Sequence, residues 1–152
     1  MNFLVQNEPK YNLSPIYDIK EQAFFTEPEI TGGISIMIDA AYTSLEVSLI
    51  SSTLYCVSGF NPQKTWEKAH LVYPKAIQGL VKVTFDVHVQ QGIGIDYAVD
   101  WKTFYDKSTG VICIGNSNIP HDAINVEFAN NTIASIDNGH LVAVWLKPSF
   151  VK

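Results

Sequence analysis

The chain has 152 residues, of which 47% are hydrophobic and 12% aromatic, and this composition excludes the disordered class. Its formal net charge is −5, and its ten basic residues are scattered lysines with no arginine among them. A nucleic-acid partner is therefore not expected, because phosphate binding needs clustered basic side chains. We expect a single domain over residues 1–152, with an N-terminal segment (1–32) and a β-rich body (33–152).

The start of the chain lacks the basic region and long apolar run of a secretory signal. No stretch approaches the ~18 apolar residues of a membrane span. The sequence therefore predicts a cytoplasmic protein without a membrane partner. Cys56 and Cys113 both lie in strand-like runs, and we expect two buried free thiols rather than a disulfide or metal ligands.

The first predicted element is a short helix. Ser14 is a typical N-cap, and Pro15 suits the first helical position. Alternating isoleucines then predict a strand over 33–39, and a second alternating run predicts strand structure over 44–57, with a bend at Ser51-Ser52. A second short helix is predicted to begin at Asn61-Pro62 and to end near Leu71.

A long hairpin is the clearest pattern in the chain. Residues 81–89 and 93–101 both alternate strictly between apolar and polar side chains. A three-residue loop over 90–92 keeps the two polar faces matched and places Gly92 where a left-handed residue is needed. This register pairs Val89 with Ile93 and sets Asp86 opposite Asp96.

The rest of the chain predicts further strands separated by turn residues. These strands lie over 111–114, 124–128, 132–136 and 141–146, and the last is apolar on both faces, which predicts that both are covered. The predicted fold class is mainly β: an antiparallel meander that forms a sandwich or a curved, barrel-like sheet with one or two short helices.

The predicted register brings Asp86, His88 and Asp96 together on one polar face. Two facing carboxylates repel each other by ~1–3 kcal/mol, which a divalent cation or a shared proton would relieve. The cluster is therefore a candidate metal site or acid–base site. The alternative interpretation is an ordinary solvated sheet face on which the side chains splay apart.

A second candidate site is the loop over 116–122, whose side-chain oxygens and nitrogens suit ligand binding. Its candidate ligand-binding residues are Asn116, Asn118, His121 and Asp122, although turns use the same residue types to bond their own backbone. Trp66 is added as an aromatic platform, because it is the tryptophan expected to be exposed.

These observations favour a non-enzymatic binding or interaction domain that engages a protein partner or a small ligand through a sheet face or barrel mouth. The main alternative is an acid–base or metal-assisted enzyme using Asp86, His88 and Asp96. A third is a lipocalin-like carrier with an apolar cavity inside a closed sheet. No cofactor is expected. If the enzyme alternative is correct, a divalent metal is the possible cofactor.

Overall fold

A computed structural model describes residues 1–30 and 32–152. The protein is mainly β, with 50% of its residues in strands and 2% in helical turns, which confirms the predicted class. Its strands are β1 (Asn2–Gln6), β2 (Ser14–Asp18), β3 (Ala23–Glu27), β4 (Ile34–Met37), β5 (Ser44–Val47), β6 (Leu54–Phe60), β7 (Glu67–Lys68), β8 (Ile77–Gln78), β9 (Leu80–Thr84), β10 (Gly94–Asp96), β11 (Thr103–Asp106), β12 (Val111–Gly115), β13 (Ile124–Ala129), β14 (Thr132–Asp137), β15 (His140–Leu146) and β16 (Ser149–Val151).

The strands form two packed seven-stranded sheets and one two-stranded pair. The first sheet has the order β10-β4-β5-β6-β3-β2-β16, and the second has the order β7-β11-β12-β15-β14-β13-β8. Within both sheets the outermost strands join in parallel and the inner strands are antiparallel. The described strands do not close into a barrel, so the sandwich alternative is the correct one.

The main core lies between the two large sheets. The first sheet contributes inward residues such as Ile36 and Leu45, and the second contributes residues such as Ile114 and Val144, all fully buried. A smaller cluster covers the opposite side of the second sheet, where Leu71 packs with Cys113, Ala143 and Trp145. Both faces of β15 are therefore covered, as its doubly apolar sequence predicts.

Both helix predictions are wrong. Ser14–Asp18 is strand β2, because Pro15 and Tyr17 alternate into buried positions between β3 and β16. At Asn61-Pro62 a single 3₁₀ turn forms over Gln63–Thr65, and strand β7 follows almost at once. At Ser14 the burial of alternate side chains outweighs the local capping signal. At Asn61 the side chain bonds to Asp39 and Thr103 instead of capping a helix.

The pairing predicted for the long hairpin is also wrong. Strand β9 pairs with β1, and β10 pairs in parallel with β4. The tight turn itself is present: the backbone nitrogen of Ile93 donates to the oxygen of Gln90 at 3.2 Å, and Gly92 has φ +84°. Alternation fixes which face a strand buries but not which strand lies beside it, and β1 supplies a partner whose Phe3 is buried.

The C-terminal half follows the prediction more closely. Strands β12 to β15 and the turns between β13, β14 and β15 lie where the sequence places them, and Ser51-Ser52 is part of the turn between β5 and β6. The order differs from a simple meander, because β15 pairs with both β12 and β14. No helix among residues 1–30 and 32–152 is long and apolar enough to cross a membrane.

Candidate binding site

The outer face of the first sheet carries a carboxylate in a ring of serines. Glu46 on β5 lies opposite Ser35 on β4 and opposite Cys56 on β6, and Ser44 lies opposite Ser58. Directly opposed residues share a face, so Glu46 and the serines project away from the main core, whereas Cys56 is buried and packs with the core cluster. The neighbouring residues Leu45 and Val47 point inward and are fully buried, which is why this face is polar.

Three hydroxyl groups donate hydrogen bonds to the Glu46 carboxylate. Ser44 Oγ lies 2.7 Å and Ser58 Oγ 3.1 Å from Oε1, while Ser35 Oγ lies 2.9 Å from each carboxylate oxygen. No lysine or histidine of the described chain forms an ion pair with Glu46. The carboxylate is thus held in place by neutral donors, and its negative charge has no counter-charge.

A groove runs from this carboxylate toward the tip of the β5–β6 hairpin. It consists of two adjoining hollows of about 310 and 290 Å³, which share Ile30, Gly32 and Tyr55. The hollow at Glu46 is also lined by Phe25, Thr26, Glu29, Cys56 and Ser58, and the other by Tyr11, Gly33, Ser48, Leu49, Ile50 and Gln91. We refer to these two hollows together as the sheet groove.

The far end of the sheet groove has an exposed apolar rim. Ile50 is 99% exposed, and Leu49 and Ile30 are each 42% exposed. The hairpin tip is well ordered by its own backbone, since Ser48 and Thr53 pair and the nitrogen of Ser52 donates to the oxygen of Ser48 at 2.8 Å. The turn therefore presents two large apolar side chains, Leu49 and Ile50, to solvent.

Phenolic hydroxyls line the middle of the sheet groove. The Tyr11 hydroxyl lies 2.6 Å from Thr53 Oγ1, and Tyr55 donates its hydroxyl to the backbone oxygen of Gly32. Burial raises the pKa of Tyr55 to about 12, with smaller contributions from Cys56, Glu46 and Tyr11. Tyr55 is thus a protonated hydrogen-bond donor at neutral pH, and it links strand β6 to Gly32.

Both cysteines are free and buried, as the sequence predicts. Burial, assisted by the charge of Glu46, raises the pKa of Cys56 to about 12, and burial alone raises the pKa of Cys113 to about 12. The thiolate is the reactive form of cysteine. Neither thiol is therefore activated as a nucleophile, even though Cys56 lines the sheet groove.

The structure separates the predicted Asp86, His88 and Asp96 cluster. Asp96 lies on β10 beside Met37, whereas Asp86 follows β9, and its Oδ2 lies 3.5 Å from the N-terminal nitrogen of Met1. All three side chains are exposed. Among the described residues, no group of three His, Cys, Asp or Glu is placed to hold a metal ion. The register that joined the cluster is wrong, and the metal-assisted or acid–base alternative stays a prediction without geometric support.

The residues predicted in the 116–122 loop form a local turn. The side-chain oxygen of Asn116 accepts a hydrogen bond from the backbone nitrogen of Asn118 at 3.0 Å, and His121 and Asp122 are exposed at the far end. These contacts match the use of Asn that stabilises a turn. Ligand binding by this loop stays a prediction.

Trp66 is half-buried rather than exposed. Its ring stacks against Phe24 and meets Tyr17 edge-on with ring centres 4.8 Å apart, and its indole nitrogen donates to the side-chain oxygen of Asn61 at 2.8 Å. These contacts use the ring for packing within the domain.

Sequence reasoning missed Glu46, Ser35, Ser58 and Tyr55. Part of the signal was present, because the same alternation that assigns Leu45 and Val47 to the core assigns Ser44, Glu46 and Ser48 to the opposite face. The convergence of serines from three strands depends on the lateral order β4-β5-β6, which no local pattern encodes. A comparison with protein-family models and with curated proteins found no match to this chain.

Proposed function

We propose that this protein is a non-enzymatic binding domain that holds an extended, basic segment of a protein partner in the sheet groove. The observation that carries this proposal is the Glu46 carboxylate, which is fixed by three serines, has no counter-charge and lies beside an apolar rim.

Charge favours a basic occupant. The lining of the sheet groove includes Glu29 and Glu46 and, among the residues the structure describes, no lysine. The whole chain carries a net charge of −5, which adds long-range attraction for a basic partner. An acidic or phosphorylated segment would be repelled in the hollow that Glu29 and Glu46 line.

The Glu46 carboxylate has hydrogen-bonding capacity left for a cation. Oε2 accepts a hydrogen bond from Ser35 alone, although a carboxylate oxygen accepts about two. The serine oxygens around it also keep free lone pairs after donating. A lysine ammonium or arginine guanidinium of the partner therefore gains charge-assisted hydrogen bonds without displacing the serines.

The apolar rim favours a peptide over a small ion. One end of the sheet groove exposes three apolar side chains, those of Ile30, Leu49 and Ile50. A peptide that covers them gains about 25 cal/mol of binding free energy for each Å² of apolar surface removed from water. A segment with a basic residue at one end and apolar residues at the other matches both halves of the sheet groove. This two-part match is typical of a binding surface with a specific register.

The test uses two synthetic peptides of eight residues, each with alternating valine and threonine at one end and either lysine or glutamate at the other. Binding to the full chain is measured by ¹H–¹⁵N NMR titration. We expect the lysine peptide to bind and to shift the resonances of Glu46, Ser58 and Ile50, and the glutamate peptide to bind at least about tenfold more weakly, equivalent to ~1.4 kcal/mol.

Two variants sharpen the test. Glu46→Gln keeps the shape of the side chain and is expected to remove the preference for lysine, while Ile50→Ser weakens both peptides. Val72→Ser is the matched control, because Val72 is 78% exposed and does not line the sheet groove. Equal binding of the two peptides, or an unchanged preference in Glu46→Gln, would show that the proposal is wrong.

A further inference from the structure

A second cavity, separate from the sheet groove, lies where the two large sheets meet at one end of the sandwich. It has a volume of about 290 Å³ and shares no lining residue with the sheet groove. Its walls come from the β4–β5 turn, the segment after β6 and the start of β11. The lining residues are Asp39, Ala40, Ala41, Asn61, Thr65, Trp101, Lys102 and Thr103.

Three buried polar side chains form the floor of this cavity. Asp39 is 7% exposed, Asn61 1% and Thr103 5%. Asp39 Oδ1 accepts hydrogen bonds from the backbone nitrogens of Ala41 at 2.9 Å and Thr43 at 3.0 Å, and the Asn61 amide nitrogen donates to Asp39 Oδ2 at 3.3 Å and to Thr103 Oγ1 at 2.9 Å. The floor is therefore rigid and polar.

Two polar groups of the floor can each form one more hydrogen bond, one as an acceptor and one as a donor. Asp39 Oδ2 accepts only the long bond from Asn61, so it keeps capacity for a second donor. Thr103 Oγ1 accepts from Asn61, and within the described chain its hydroxyl hydrogen has no acceptor. Asn61 donates both amide hydrogens, one to Asp39 and one to Thr103, and its side-chain oxygen accepts from Trp66. A ligand hydroxyl that donates to Asp39 and accepts from Thr103 would use the capacity that remains.

A fixed aromatic ring forms one wall. Trp101 meets Tyr97 edge-on at 5.9 Å between ring centres, and a Cβ on Gly115 would come within 3.0 Å of the indole. The ring is thus held between Tyr97 and the backbone of β12. Lys102 stands at the rim, with its side chain 68% exposed and its ammonium 3.5 Å from Glu67.

These features identify a class of ligand. The lining contains one acidic residue, Asp39, and one basic residue, Lys102, which favours a neutral ligand over an anion or a cation. A hydroxyl group can donate to Asp39 and accept from Thr103 or Lys102 at the same time. The flat face of an indole suits a ring with an apolar face, and the volume lies at the lower limit of the ~300–1,000 Å³ typical of small-molecule sites.

We infer that this cavity binds a neutral monosaccharide ring, which stacks on Trp101 and hydrogen-bonds to Asp39 and Thr103. This site is independent of the partner proposed for the sheet groove, so either proposal can fail alone.

The experiment is a ¹H–¹⁵N NMR titration of the full chain with glucose, galactose and N-acetylglucosamine in turn, following the Trp101 indole N–H and the Thr103 amide. Cyclohexanol serves as a ring of similar size with one hydroxyl group. We expect at least one sugar to give a saturable shift of both resonances, with cyclohexanol giving none at the same concentration.

Variants assign the effect to the cavity. Trp101→Leu is expected to weaken sugar binding at least tenfold, and the matched control Tyr42→Leu, which changes an aromatic residue 71% exposed outside the cavity, is expected to leave it unchanged. Thr103→Val keeps the shape of the side chain and removes the hydroxyl that the sugar would use, so it is expected to weaken binding severalfold. The inference is overturned if no sugar shifts the Trp101 indole, if cyclohexanol binds as well as the sugars, or if Thr103→Val and Tyr42→Leu behave alike.

Discussion

Glu46 shows how a single polar residue can connect neighbouring strands. Its carboxylate accepts hydrogen bonds from Ser35 on β4, Ser44 on β5 and Ser58 on β6. Hydrogen bonds to a charged acceptor are roughly twice as strong as those between neutral groups, so this ring adds side-chain bonds to the ladder of backbone bonds. The same arrangement keeps the negative charge at one place in the sheet groove.

The first residue-level prediction concerns thiol reactivity. Cys56 and Cys113 both have a pKa raised to about 12, so alkylation at pH 8 is expected to be slow in the folded protein and fast after denaturation. Because Glu46 contributes to the shift at Cys56 alone, Glu46→Gln should speed alkylation of Cys56 and leave Cys113 unchanged. Peptide mass spectrometry after timed alkylation measures both sites, and equal acceleration of the two would contradict the electrostatic cause.

The second residue-level prediction concerns stability in acid. Hydrogen bonds from Ser108 and from the backbone nitrogen of Leu71, with a smaller contribution from His70, lower the pKa of Asp106 from 3.8 to about 2. A lowered folded-state pKa means that the stabilisation is complete above the unfolded value and is lost as the pH falls through the folded value. The wild-type protein should thus lose stability as the pH falls from 3.8 to 2, and the Asp106→Asn variant should lose less across that interval. Thermal unfolding at a series of pH values measures both.

At the level of strands, the alternation of apolar and polar residues predicts much of this fold. It gives β4, β5 and β12 to β15, and it assigns Leu45, Val47 and both faces of β15 correctly. It cannot give the lateral order of strands, because β1 pairs with β9 across about half of the chain and β16 pairs with β2 across most of it. The candidate sites depend on that order: Glu46 needs β4 and β6 beside it, and Asp39 and Thr103 meet only when the two sheets pack.

The pairing of β1 with β9 provides a test at the level of one strand. Phe3 on β1 is 1% exposed and joins the main core, whereas its neighbour Leu4 is 54% exposed. Phe3→Ala should lower the free energy of unfolding by about 3–5 kcal/mol, because it removes a buried ring and leaves a cavity. Leu4→Ala, on the same strand, should change it by less than about 0.5 kcal/mol. Urea denaturation measures both, and similar losses in the two variants would place β1 elsewhere.

The whole molecule is held together by one shared core and by a polar link between the sheets. Asn61 follows β6 of the first sheet, and its side chain bonds to Thr103 on β11 of the second sheet, to Asp39 and to Trp66. Tyr17 of β2 also donates its hydroxyl to the backbone oxygen of Asn61 at 2.7 Å. These bonds around Asn61 join the first sheet to the second, which favours folding as a single unit.

The expected result is one cooperative unfolding transition for the full chain, with far-UV circular dichroism and tryptophan fluorescence giving the same midpoint. Asn61→Ala should lower the midpoint without splitting the transition, because it leaves the buried Thr103 hydroxyl and the half-buried Trp66 indole N–H without their partner, at a cost of up to about 1–3 kcal/mol for each unsatisfied group. Asn116→Ala, in the exposed 116–122 loop, is the matched control and should shift the midpoint little. If the two probes separated in the wild type, the sheets would unfold independently, and the Asn61 link would not unite them. If they separated only in Asn61→Ala, the polar link rather than the apolar core would be what makes the two sheets unfold together.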